Sequence, residues 1–166
     1  MNKLKRMAHI GFFIVVPIIL IGVIFISLNG KGNKPDVEQP DLNNFSIELL
    51  SEDQILYVSN QYKASKTHEE GKYNRDYYLF SSKEITGIIT LSKTLAKDCN
   101  LELAINSKID SGTVRLVLIC DEQILEIVDP TSDMKFTYKV VGEHTYYVKA
   151  LFGTAKMEIV INKSCS

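Results

Sequence analysis

Tryptophan is absent from this chain, and histidine is scarce, with three in 166 residues. The three cysteines include no C-x-x-C pair, and no zinc-type spacing joins them to the histidines, so no metal motif is legible. No serine lies in a G-x-S-x-G setting, which removes the usual signal of a nucleophile elbow. Charge of one sign is missing too. The net charge is −1, with acidic and basic residues interspersed, and this excludes the basic footprint of a nucleic-acid binder. No lipobox cysteine follows the N-terminal apolar run, because the first cysteine is Cys99. From these absences we expect no catalytic residue, no cofactor and no metal.

What is present is uneven. Residues 1–30 hold Lys3, Lys5 and Arg6 and no acid, while the rest carries 16 basic and 20 acidic side chains. Ile10 to Leu28 is 19 residues without a charge. As a helix it would rise about 28 Å, close to the roughly 30 Å of a bilayer's hydrocarbon. The sequence therefore predicts a basic cytoplasmic N-terminus over 1–9 and a transmembrane helix over 10–28, kinked at Pro17. With lysine and arginine concentrated before the run, the positive-inside rule puts the remaining chain outside a cell membrane crossed once. A cleaved secretory signal is one rival, although Ser27-Leu28-Asn29-Gly30 is a poor cleavage site. A pilin-like subunit is another, on the Gly11-Phe12-Phe13 junction, but Val16 stands where that family usually has glutamate.

Residues 29–44 contain Gly30, Gly32, Pro35 and Pro40 without apolar periodicity and read as a flexible linker. An extracytoplasmic domain over 45–166 follows. Phe45 to Leu50 suits a first strand, and Ser51 with Gln54 forms a capping-box pattern ahead of a short helix near 52–63. Lys63 to Asn74 is polar and reads as a loop. From Tyr77 the apolar period becomes two. Residues 99–107 and 112–120 are expected to form a hairpin that turns at Lys108-Ile109-Asp110-Ser111, opposing Leu103 to Leu116 and Cys99 to Cys120. Gly142 and Gly153-Thr154 are read as two further hairpin turns. Gly112 to Cys120 is almost continuously apolar, as a strand covered on both faces would be. Together these predict a mainly β fold, a β-sandwich of about seven or eight antiparallel strands.

The candidate sites are few. Cys99 and Cys120, opposite in that hairpin, would lie within disulfide range; two buried thiols, or a bond to Cys165, are the alternatives. His68-Glu69-Glu70 reads as loop charge, and Asp121, Asp129 and Asp133 as turn formers before they read as a calcium site. Tyr57, Tyr62, Tyr73, Tyr77 and Tyr78 fall within 22 residues, and a cluster of this kind forms either strand packing or an interaction surface.

The apolar strand Val114 to Ile119, the Asp129-Pro130 turn and the late Gly142 to Tyr147 segment resemble the small immunoglobulin-like or jelly-roll domains tethered outside Gram-positive bacterial membranes. The resemblance covers about residues 76–162 and implies an exported sandwich without assigning any functional residue. The function expected is a membrane-anchored extracytoplasmic binding or interaction module, whose partner is a membrane-complex protein or a cell-wall polymer. The alternative is a cell-surface hydrolase with a site assembled from scattered residues.

Overall fold

The structure, a computed structural model, describes residues 35–166. The basic prefix and the apolar run expected to cross the membrane lie outside the described residues. Among the described residues no helix is long and apolar enough to cross a membrane.

Residues 35–44 carry no helix or strand. Val37 nevertheless packs against the domain, and the Gln54 side chain donates to the Glu38 carbonyl at 3.0 Å. The strand expected at Phe45 to Leu50 is replaced by a single 3-10 turn, Ile47–Leu49, which buries Ile47. Helix α1, Glu52–Tyr57, begins as the sequence predicts. Ser51 Oγ accepts from Gln54 N–H at 3.2 Å, and Gln54 Oε1 accepts from Ser51 N–H at 3.0 Å, the reciprocal capping box. The helix stops earlier than expected, and two short strands, β1 (Gln61–Ser65) and β2 (His68–Gly71), take the end of the expected helix and part of the expected polar loop. The side chains of β2 and of the second half of β1 are exposed, which hides these strands from a hydrophobicity reading, since an edge strand needs only backbone pairing on one side.

Three very long strands follow, β3 (Tyr77–Lys97), β4 (Asn100–Cys120) and β7 (Glu143–Cys165), with β5 (Gln123–Val128) and β6 (Asp133–Lys139) between the last two. All pairings are antiparallel and make one open seven-stranded sheet, ordered β1-β3-β7-β4-β5, with β2 also on β3 and β6 also on β4. The expected hairpin over 99–120 does not exist. β4 runs straight through residues 108–111, so Leu103 pairs with Lys163 and Phe136, and Leu116 pairs with Ala150 and Val128. β7 likewise runs through Gly153-Thr154, and β6 pairs with β4 and not with β7.

The turn-forming residues bend the sheet instead of reversing the chain. The β4–β7 register shifts at Ile109/Ser111 and Ser111/Thr113, and the β3–β7 register shifts at Ser82/Ile85 and Ile85/Gly87. These irregularities are neighbours across the sheet, because Ile85 opposes Ala155 and Thr113 opposes Gly153. Gly112 has φ +86°, and a Cβ there would overlap the Thr154 carbonyl. Bulges at one level in three adjacent strands fold the sheet over.

The two halves then face each other. Phe80, Leu103, Ile105 and Ile159 from one half join Leu91, Leu116, Leu118 and Phe152 from the other in one buried core. Tyr62 meets Phe80 edge-on across it, with ring centroids 6.4 Å apart. This doubling is consistent with the expected sandwich. A second, smaller core lies on the outer face of one half, where Ile88, Val117, Ile119 and Leu151 are covered by Ile47, Ile55 and Val58. Alternate residues of 116–119 thus enter different cores, which explains the continuous apolar run.

Cys99 is bonded to Cys165, and Cys120 is a free thiol. With 100–120 one continuous strand, Cys99 sits just before its start and Cys120 at its end. Cys165 instead pairs beside Leu101, and the Asn100 N–H donates to the Ser166 carbonyl at 2.7 Å.

Candidate functional site

Lys149 lies in an apolar stretch of β7 and is 3% exposed. Its ammonium donates to the carbonyls of Ile55, Leu56 and Val58 at 2.8, 2.7 and 2.7 Å. The first two are carbonyls of the last turn of α1, which a helix end leaves without partners, and the third belongs to its C-cap; a cation there also meets the negative end of the helix dipole. The buried lysine thereby fixes α1 onto the sheet and sets the floor of a groove of about 290 Å³.

The walls of the groove come from five parts of the chain. The end of α1 supplies Tyr57, and the β2–β3 connection supplies Tyr73. β3 supplies Lys93, and β7 supplies Tyr147, with the Lys93 ammonium 5.7 Å from the Tyr147 ring centroid. That distance is within cation–π range. Asp121 and Glu122, in the β4–β5 turn, close one side. Asn60, at φ +56°, accepts from the Thr90 N–H through its side chain at 3.0 Å and holds the chain leaving α1 against β3.

The tyrosine cluster seen in the sequence is divided by the fold. Tyr57 and Tyr73 reach the groove. Tyr62 and Tyr78 pack with the main core, where burial pushes the Tyr78 hydroxyl well above its ordinary value. Tyr77 stands at the start of β3, opposite Asn162, away from the groove lining. Tyr147, Lys93 and Lys149 were not singled out in the sequence. Lys149 had a signal, a charge flanked by Val148, Ala150, Leu151 and Phe152, which only a buried partner set can justify.

Another buried lysine, Lys163, lies 8% exposed at the far end of β7. It donates to the carbonyls of Tyr73 and Lys93 at 3.2 and 2.8 Å and to Ser92 Oγ at 3.4 Å. Burial lowers its pKa to about 8. Lys163 thus ties the two groove segments bearing Tyr73 and Lys93 to β7.

The acidic and histidine candidates separate. His68-Glu69-Glu70 forms exposed strand β2. Asp129 faces Arg115 at 3.5 Å, and Asp133 accepts from Asn106. Asp121 meets His144, with Oδ2 at 2.9 Å from Nδ1, and Oδ1 accepts from the Thr145 N–H at 2.8 Å. Cys120, Asp121 and His144 each offer a ligand atom within 4.8 Å of the others, and they are the one such group among the described residues. Burial pushes the Cys120 thiol up, and the Asp121 hydrogen bond pushes His144 up. Comparison with protein-family models and with curated proteins finds no match for this chain.

Proposed function

We propose that the chain is a membrane-anchored extracytoplasmic binding module that seats an extended polypeptide segment of a partner protein in the groove between α1 and strands β3 and β7. The observation that carries this reading is the groove's set of three tyrosines, Tyr57, Tyr73 and Tyr147, with Lys93 over the last ring. Tyrosine buries apolar area at small entropic cost while its hydroxyl stays in water, which suits a peptide with mixed side chains. Lys93 offers a cation to a carboxylate, and Asp121 and Glu122 offer acceptors to backbone amides. Those two carboxylates disfavour a polyanionic wall polymer. The two-layered sandwich reading of the bent sheet supplies the rigid frame such a site needs, and the apolar run at 10–28 supplies the anchor.

The hydrolase alternative has one constellation to consider, the cysteine, histidine and aspartate just described. A nucleophile–base pair would need the second His144 nitrogen on the thiol. That nitrogen, Nε2, instead lies 3.1 Å from the Val141 carbonyl, and the thiol is pushed up, away from activation.

The test places a photo-crosslinking residue at Tyr147 of the full chain in membranes of expressing cells. The expected product is one discrete protein adduct, lost with Lys93→Glu. An adduct with polymer, or a ladder unaffected by Lys93→Glu, overturns the groove reading. Reporter fusions after Lys34 test the anchor, since activity confined to a cytoplasm-only reporter would reverse the topology.

A further inference from the structure

We propose that Cys120, Asp121 and His144 form a binding site for a single zinc-type divalent transition metal. Their ligand atoms lie within 4.8 Å of one another. In a strand, successive side chains point to opposite faces, so Cys120 and Asp121 would ordinarily diverge. Asp121 has φ +53°, and this left-handed residue breaks the alternation at the end of β4. Its backbone N–H donates to the Thr145 carbonyl at 2.7 Å, and its Oδ1 accepts from the Thr145 N–H at 2.8 Å. The carboxylate is thereby held beside His144, one residue earlier on β7, with Oδ2 free to face the ring.

The second observation is the imidazole itself. Both ring nitrogens face oxygen: Nδ1 is 2.9 Å from Asp121 Oδ2, and Nε2 is 3.1 Å from the Val141 carbonyl. A neutral imidazole has one N–H and can satisfy one of them. If Nε2–H donates to Val141, the Nδ1 lone pair points at a carboxylate, and that arrangement needs a cation between them. A proton is one such cation. A metal ion is the other, and a ligating histidine whose remaining N–H is held by a backbone carbonyl is the usual outer-shell arrangement.

The donor types choose the ion. A thiolate, an imidazole and one carboxylate suit zinc and its neighbours, while calcium and magnesium require more oxygen. Bonds of about 2.0–2.3 Å in a tetrahedron put ligand atoms roughly 3.3–3.7 Å apart, so the trio needs to open slightly at His144–Asp121 and close toward sulfur. Three protein ligands leave a fourth position for water or an incoming donor. Tyr146, buried and directly opposite Cys120 in the β4–β7 pairing, stands beside the site. Binding releases the thiol proton, and also the Nδ1 proton when His144 carries both. No electron is transferred.

The sequence hid this site because its ligands come from 120, 121 and 144, and only the β4–β7 pairing, with Cys120 opposite Tyr146, joins them. The experiment uses the full chain in detergent, stripped with chelator and titrated with cobalt(II). One equivalent should produce tetrahedral d–d bands and a thiolate-to-cobalt charge-transfer band, and zinc should displace both. Cys99 and Cys165 are bonded to each other, so the thiolate must be Cys120. Cys120→Ser should abolish the charge-transfer band, and His144→Ala should weaken binding at least about tenfold. Zinc should also slow alkylation of Cys120 in the unaltered protein, a readout independent of any variant's folding. Absence of a stoichiometric cobalt complex, or alkylation unaffected by zinc, overturns the proposal.

Discussion

Removing the Cys99–Cys165 bond should cost this domain a large share of its stability, and the magnitude follows from the sequence separation of 66 residues. In the chain-entropy view, a cross-link restricts the unfolded ensemble by an amount that grows with the logarithm of the loop. A loop of that size is worth about 4 kcal/mol at room temperature. Little of this is native contact energy. The Asn100–Ser166 backbone bonds, at 2.7 and 3.2 Å, and the Leu101–Cys165 pairing continue the ladder without the sulfur bridge. The perturbation is therefore the double variant Cys99→Ala/Cys165→Ala, which leaves no stray thiols at the sheet end. For a domain of this size about 4 kcal/mol corresponds to a melting-point drop of roughly 12–18 °C. Far-UV circular dichroism of the full chain in detergent would follow it, with the reduced unaltered protein as the companion sample. A drop below about 4 °C in both would refute the loop-closure reasoning and mean that the unfolded chain is already restricted without the bond. Thiol counting on the denatured, unreduced chain should find one free cysteine, Cys120.

Lys149→Met keeps the aliphatic stem but leaves the Ile55, Leu56 and Val58 carbonyls without the ammonium. A loss of about 2–4 kcal/mol in urea unfolding at unchanged slope is expected, and a loss under about 0.5 would mean that α1 is held by its apolar side alone. Gly112→Ala should cost at least about 3 kcal/mol because its Cβ would overlap the Thr154 carbonyl. Gly142→Ala, at φ +84° but with the nearest atom, of His144, at 3.9 Å, should cost only about 1. Equal losses for the two would show that overlap at the bend is unimportant. For Lys163 the sign runs upward. Its pKa of about 8 lies below the unfolded 10.5, so between those values the unfolded chain binds more protons and stability rises with pH. The Cys120 thiol, raised by burial, opposes this above about pH 9, and Tyr78, Tyr138 and Tyr146, also raised by burial, oppose it above about pH 10. Denaturation midpoints should therefore climb from about pH 8 to 9, and Lys163→Met should flatten the slope; a flat profile over that range in the unaltered chain would contradict the burial argument.

The side of each strand that enters the core was legible, and the connectivity was not. Leu101, Leu103 and Ile105 alternate correctly, as do Val114, Leu116 and Leu118, and all six are buried in one core. A hairpin with its turn at 108–111 and a single strand bent at 109–113 put those leucines on the same side and across from each other. Periodicity is identical in the two cases, so no count of apolar positions can choose between them. The choice is made by which other strand is available. β7, Glu143–Cys165, is long enough to pair with β4 along almost its whole length, and that pairing supplies partners for the backbone groups of both strands. The same ambiguity at Gly153-Thr154 resolved the same way. Serine, glycine and threonine at these positions signal a departure from regular extended backbone, and they serve a bulge as readily as a turn.

The site was less legible than the fold because it is made of ends. Tyr57 closes α1, Tyr73 lies in a connection, Asp121 follows the last residue of β4, and His144 is the second residue of β7. None of these is close to another in sequence, and their meeting depends on the register that periodicity left open. Had the hairpin existed, Cys120 would have faced Cys99. The long β4–β7 pairing instead sets Cys120 against Tyr146 and sends Cys165 to Cys99. One topological decision therefore protects one pair of cysteines as a staple and releases the third as a thiol beside a histidine and an aspartate. It also brings Lys149 onto the outer face beneath α1, where a helix too short to hold its own carbonyls needs a donor from the sheet. Staple, groove floor and thiol site all follow from that single pairing, so a shift in its register would disturb all three together.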